Sequence, residues 1–203
     1  MHINRTTRAL GALTLTAALI LTAAACGNDD ASTATSSQVS TTDHNDVDVE
    51  FASTMLQHHT QALAMVDLTE GRTLDPEVQA LADDIRAAQT PEVEIFTTWL
   101  TDWNEEVPQT TDGGHDMGDM SDTTDSDMPG MMSDADMGAL EDASDADFQT
   151  RWLEMMVQHH RGAVEMADTE TSDGQYKAAV DLAGDIMTSQ TAEIETMEAL
   201  LDS

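Results

Sequence analysis

Cysteine and basic residues are nearly missing from this chain. One residue of 203 is Cys and seven are Lys or Arg, against 40 Asp or Glu, for a formal charge of −33. A lone thiol, Cys26, excludes an intramolecular disulfide and a thiolate metal cluster, so any metal ligands have to come from Met, His or carboxylates. The shortage of positive charge excludes a nucleic-acid partner, because such a surface repels phosphates while favouring solubility and attracting cations. Acidity of this kind also suits an exported, salt-tolerant protein with no cation role. Aromatic residues make up only 3%, whereas there are 14 Met, a residue that serves both as a pliable core filler and as a soft ligand.

A repeat stands out against this background. Met55-Leu-Gln-His58-His59-Thr-Gln-Ala62-Leu-Ala-Met65 returns 101 residues later as Met156-Val-Gln-His159-His160-Arg-Gly-Ala163-Val-Glu-Met166. The same offset pairs Phe51 with Trp152, Leu81 with Leu182, Asp84-Ile85 with Asp185-Ile186, Gln89-Thr90 with Gln190-Thr191, Glu92 with Glu193 and Glu94 with Glu195. Each copy is one supersecondary unit of about fifty residues.

Apolar residues recur at helical spacing in both copies. Phe51, Met55, His58, Ala62, Met65, Val66 and Thr69 form one stripe, and Leu81, Ile85, Ala88, Glu92, Ile95, Trp99 and Trp103 a second that begins near Asp75-Pro76, with Gly71 between them. The second copy repeats the plan through Trp152, Met156, His159, Ala163 and Met166, a break at Ser172-Asp173-Gly174, then Leu182, Ile186, Glu193, Met197 and Leu200. Neither helical hairpin can bury its apolar face alone, so the predicted fold is an all-α four-helix bundle built from two repeated hairpins over residues 46–203.

Between the copies no Lys or Arg occurs from Arg86 to Arg151. Residues 107–137 read as a long crossover, little of which has reason to pack, and residues 107–132 are expected to be mobile. His115, Met117, Met120, Met128, Met131 and Met132 lie there among Asp, Ser, Thr and Gly, either as a tract that captures copper or as an acidic low-complexity linker. Ser133-Asp-Ala-Asp136 predicts the cap of a short helix reaching about Ala143.

The start of the chain reads as an export signal over residues 1–25: Arg5 and Arg8, an apolar run from Leu10 to Leu21, then small residues before Cys26. Cys26 occupies the place of an acylated lipoprotein cysteine, with plain secretion as the alternative. Removing residues 1–25 would bring the formal charge from −33 to −35, since Arg5 and Arg8 leave and no acid does. Residues 26–45, rich in Ser, Thr and Ala, read as a flexible tether that holds the domain off the outer face of the membrane.

The repeat points to a paired metal site. Met-x-x-His occurs at Met55/His58 and Met156/His159, where di-iron bundles carry Glu-x-x-His, and no Glu stands three residues before any histidine here. Replacing a carboxylate by a thioether moves the preference toward Cu(I) or Ag(I). Adjacent histidines diverge by about 100° on a helix, so a site assembled from one Met and one His of each helix is more natural than one ion held by His58 and His59 together. Whether His59 and His160 are ligands or supports stays open. Gln89, Glu92, Gln190 and Glu193 lie on one face of the partner helices, where the acids would either hydrogen-bond histidine N–H groups or remain solvated. The alternative for the whole constellation is a Met-filled core with satisfied buried histidines.

The two Met-x-x-His-His-x-x-Ala-x-x-Met motifs, the following Gln-x-x-Glu and the Met128-Pro-Gly-Met131-Met132 lead-in resemble the domain of unknown function 305 family, over about residues 45–203. The resemblance implies a ferritin-like four-helix bundle in an exported bacterial protein, with an association with copper in some relatives. It implies Met55, His58, His59, Met65, Met156, His159, His160 and Met166 as the metal residues. Gln149 and Trp152 depart from it, standing where Asp and Phe are common. The function expected is a lipid-anchored, extracytoplasmic protein that buffers or relays Cu(I), exchanging it with a copper carrier or transporter. A copper- or iron-dependent oxidase and a metal-free cell-surface interaction module are the alternatives.

Overall fold

A computed structural model describes residues 43–109 and 128–203. Five helices follow in order, α1 Asp46–Asp67, α2 Pro76–Trp103, α3 Asp134–Glu141, α4 Asp145–Asp173 and α5 Lys177–Leu201, and no strand occurs among the described residues. Cys26, His115, Met117 and Met120 lie outside the described residues, and no described helix is long and apolar enough to cross a membrane.

Local chemistry sets the helix ends. The Asn45 side chain accepts the N–H groups of Val47 and Asp48, while the Asp48 carboxylate accepts the N–H of Asn45, so several orphan donors at the start of α1 are satisfied. Gly71, at φ +77°, turns the chain toward Pro76 at the head of α2. Ser133 and Asp136 form the same reciprocal box on α3, and the Ser133 hydroxyl and N–H hold the Asp136 carboxyl below its usual range. Replacing Ser133 with Ala should weaken this cap by about 1 kcal/mol. Faster amide exchange at Asp136 and Met137 is the expected reading, and unchanged protection there would show that the box adds nothing.

Contacts along the helices give their directions. Phe51 meets Phe96 edge-on at 5.6 Å, His59 meets Glu92 and Asp67 meets Arg86, so α1 and α2 run antiparallel. His160 with Glu193 and Thr171 with Met187 give α4 and α5 the same relation. Across the middle, Trp152 Nε1 donates to the Met65 carbonyl at 2.9 Å, His58 lies over His159, and Asp48 accepts the N–H groups of Gln175 and Tyr176 just past the end of α4. Helices α1 and α4 are therefore antiparallel too, and the two histidines mark the centre of their contact. Trp152 is fully buried, and Gln149 grips Asp75 through both its backbone N–H and its carboxylate. Both residues that depart from the family pattern thus join the two halves.

The core divides into two clusters related by the repeat. One holds Ala62, Met65, Val66, Leu81, Ala82 and Ile85 together with Trp152, Leu153 and Met156. The other holds the counterparts Ala163, Ala167, Ala183 and Ile186 together with Phe51, Ala52 and Met55. The histidines fall between them in sequence on both α1 and α4.

Two expectations need correction. The buried face of α2 runs through Val78, Leu81, Ala82, Ile85, Gln89, Phe96 and Leu100, whereas Ala88 is exposed and Ile95 is 36% exposed. Extending the stripe in steps of three and four let it drift off the face that α1 covers. Nor is the end of the crossover loose: Met132 is 4% exposed within the first cluster, and Gly130 lies against the α4 backbone. Its packing depends on partners far away in sequence, so its composition did not show it.

Candidate metal centre

Met55 and His58, and Met156 and His159, sit one turn apart on the buried faces of α1 and α4. Because those faces meet, the rings of His58 and His159 lie with centroids 3.7 Å apart, tilted by 36° to one another. All four histidines of the repeats are at most 1% exposed, and Met55 and Met156 are fully buried. Adjacent histidines do diverge, with the His159 and His160 centroids 6.4 Å apart.

Hydrogen bonds define the ring chemistry. His59 Nε2 lies 2.7 Å from Glu92, His160 Nε2 lies 2.7 Å from Glu193, and His58 Nε2 lies 3.2 Å from the Pro129 carbonyl. An acceptor at Nε2 places the proton there and leaves the Nδ1 lone pair available. Nδ1 has no partner in any of the four rings, and in His159 neither nitrogen has one. Gln89 and Gln190 are buried nearby in sequence on the partner helices, and they too hold side-chain atoms without partners. Each such atom costs about 1–3 kcal/mol, so the unpartnered histidine nitrogens between the two apolar clusters oppose stability.

The layer is electrostatically suited to neutral imidazole. Burial, reinforced by His59 and His160, lowers the His58 pKa to about 3 despite the Pro129 contact. Burial first, and then His58, His160 and His59, hold His159 well below its ordinary 6.5. Among the described residues no three His, Cys, Asp or Glu side chains are placed to hold one ion. Coordination in this layer would therefore need the neutral sulfurs of Met55 and Met156 beside imidazole nitrogen, a donor set that fits a soft monovalent ion.

The other residues singled out by the sequence are distributed around this layer. Met65 is buried in the first cluster and Met166 half-buried against the second, each about 10 Å along its helix from His58 or His159. Met128 and Met131 are half-buried. Sequence reasoning missed Gln61, Pro129, Gly130 and Gly162, which bring residues 128–132 onto the layer. One signal was available: Gln61 and Gly162 occupy equivalent places in the repeat and differ. It also missed the buried Asp48 and Glu170 pair at the α4–α5 corner, where burial and the neighbouring Asp48 raise the Glu170 pKa to about 8.

Comparison with other proteins agrees with this fold. No curated protein matches the sequence. A DUF305 fragment from Deinococcus radiodurans is similar at 28% identity and TM-score 0.65, covering 78% of this chain and 97% of its own. A DUF305 protein from Streptomyces coelicolor, described as secreted, is similar at 32% identity and TM-score 0.65, covering 77% and 91%. CopM in its Cu(I)-bound form is similar at 26% identity and TM-score 0.60, covering 76% and 95%. CopM structures in Cu(II)-bound and Ag-bound forms match as well. The profile of the domain of unknown function DUF305 matches residues 48–201, most of the chain, and the protein belongs to that family.

Proposed function

We propose that this protein binds copper as cargo, chiefly Cu(I), and buffers or relays it outside the cytoplasm without catalysing a reaction. The observation that carries the reading is the close approach of His58 and His159 in a buried layer, with unpartnered nitrogens and a buried methionine one turn from each. Met55, His58, Met156 and His159 would form the central donor set. His59 and His160, oriented by Glu92 and Glu193, would supply further nitrogen or hold the layer's geometry, and Met65 and Met166 would flank it. Gln89 and Gln190 would complete the polar surroundings. The Cu(I)-bound and Ag-bound forms of CopM support the choice of a soft metal.

The repeated helix pairs are read as a ferritin-like arrangement of two hairpins related by a quasi-twofold axis. Residues 1–25 would direct export, Cys26 would carry the lipid anchor, and residues 26–45 would tether the domain at 46–203. Met128, Met131 and Met132, with His115, Met117 and Met120, would pass copper to or from a carrier.

Anaerobic competition of the full mature chain against a chromophoric Cu(I) chelator tests the reading. Cu(I) and Ag(I) should be retained at least about a hundredfold more tightly than Zn²⁺ or Fe²⁺, as the softness of the donors requires. A chain that holds no Cu(I), or prefers iron, would sink it. Oxygen uptake by the copper-loaded protein would replace it with the oxidase alternative.

A further inference from the structure

The repeat predicts a symmetric centre, and the structure departs from symmetry beside the histidines. Residues 128–132 cross the layer on one side only. Gln61 holds this strap with both ends of its amide: Oε1 accepts the Met132 N–H at 2.7 Å, and Nε2 donates to the Met132 carbonyl at 2.8 Å. In the second repeat the equivalent position is Gly162, where a Cβ would overlap the Pro129 carbonyl. Gly130, at φ +78°, leaves no room for a Cβ either, which would stand 2.8 Å from the Gln158 and His159 carbonyls. One repeat thus supplies the clamp and the other the space. The outcome is chemical as well as steric, because the strap brings the Pro129 carbonyl to His58 Nε2, while His159 has no counterpart.

We propose that Gln61, Gly130 and Gly162 are positioning residues that seat residues 128–132 on the centre, so that Pro129 fixes His58 as its Nε2–H tautomer and leaves His159 as the ligand that exchanges copper first. This rests on the copper reading above for its exchange step, though not for its tautomer. His58 then presents Nδ1 alone, as a fixed ligand. His159, held by no hydrogen bond, can turn either nitrogen toward an incoming ion. Full access to His58 requires the strap to leave, so the strap slows the passage of copper in both directions.

Long-range ¹H–¹⁵N spectra of the metal-free full chain should show His58 as the Nε2–H tautomer. Gln61→Ala should speed exchange of the Met132 amide and accelerate Cu(I) transfer to a competing chelator by about tenfold, the scale of one or two lost hydrogen bonds. Uptake should accelerate by the same factor, so affinity stays within about threefold. Gly162→Ala should displace Pro129 and release the His58 tautomer, whereas Gly138→Ala, whose Cβ would meet nothing within 4 Å, should do neither. An Nδ1–H His58 in the wild type would overturn the positioning role. Wild-type transfer rates in both strap variants, with Met132 exchange increased, would overturn the exchange order. A wild type that takes up no Cu(I) would overturn the copper reading and the exchange step together, while the tautomer measurement still decides the positioning role.

Discussion

Replacing His58 and His159 together with Ala is expected to lower the affinity for Cu(I) by roughly a thousandfold, about 4 kcal/mol, while leaving helical content unchanged. The ring centroids lie 3.7 Å apart at the middle of the α1–α4 contact, so the double substitution removes imidazole from both sides of one site. Stability should suffer little beyond the volume lost, because three ring nitrogens without partners disappear with them. Met55→Leu with Met156→Leu is the complementary test. That exchange conserves volume and costs under about 1.5 kcal/mol per site, yet it removes both sulfurs and should erase the preference for Cu(I) over Zn²⁺. Substituting Met117 and Met120 should cost less affinity than either change. Competition titrations followed by circular dichroism of the same samples measure all three, and a histidine double variant that binds Cu(I) like the wild type would reduce the layer to core packing.

The metal-free protein should be most stable near pH 6.5 and lose stability on both sides. On the acid side, His58 has a folded pKa of about 3 against an ordinary 6.5, so the unfolded chain binds the extra proton between these values. Stability is fully present above pH 6.5 and falls with pH until the folded pKa is reached, by roughly 3 kcal/mol at pH 4 from His58 alone. His159 acts in the same direction. On the alkaline side Glu170 has the opposite sign. Its folded pKa is raised from 4.5 to about 8, so the folded chain keeps a proton that the unfolded chain has lost. That contribution is whole below pH 4.5 and is lost as pH rises through 8, by roughly 1.5 kcal/mol between pH 6.5 and 8. Denaturant midpoints across pH 4–8.5 would show the dome. Glu170→Gln, which keeps a neutral hydrogen-bonding group beside Asp48, should flatten the alkaline limb and steepen the acid limb down to pH 4.5, where Glu170 otherwise opposes the histidines. A variant whose stability still falls from pH 6.5 to 8 would show that Glu170 is not its source.

The same histidine shifts revise a simpler expectation. Ordinary imidazoles would surrender copper below about pH 6. Groups as deeply buried as His58 and His159 remain neutral in more acidic surroundings, so their share of the affinity should persist well below pH 6. Burial depth is a property of the packed molecule, and nothing in Met-x-x-His announces it.

Much could be read along the chain alone. Spacing by three and four placed Phe51, Met55, His58, Ala62, Met65 and Val66 on one buried face, as the structure has them. Pro76, Gly71 and the Ser133–Asp136 box marked helix boundaries because capping chemistry is local. The 101-residue offset implied two equivalent units, and the paired core clusters follow it. Periodicity, however, gives only the phase of a face around its own helix. Which helix covers that face, in which direction and at what height depends on side chains remote in sequence. Only the packed chain therefore revealed that α1 crosses α4 at His58 and His159, that Glu92 and Glu193 turn inward to His59 and His160, and that Ile95 is left outside. The strap is the sharpest case. Its composition reads as linker, and it is seated by a glutamine about seventy residues upstream and a glycine about thirty downstream, contacts that exist only once the bundle has closed.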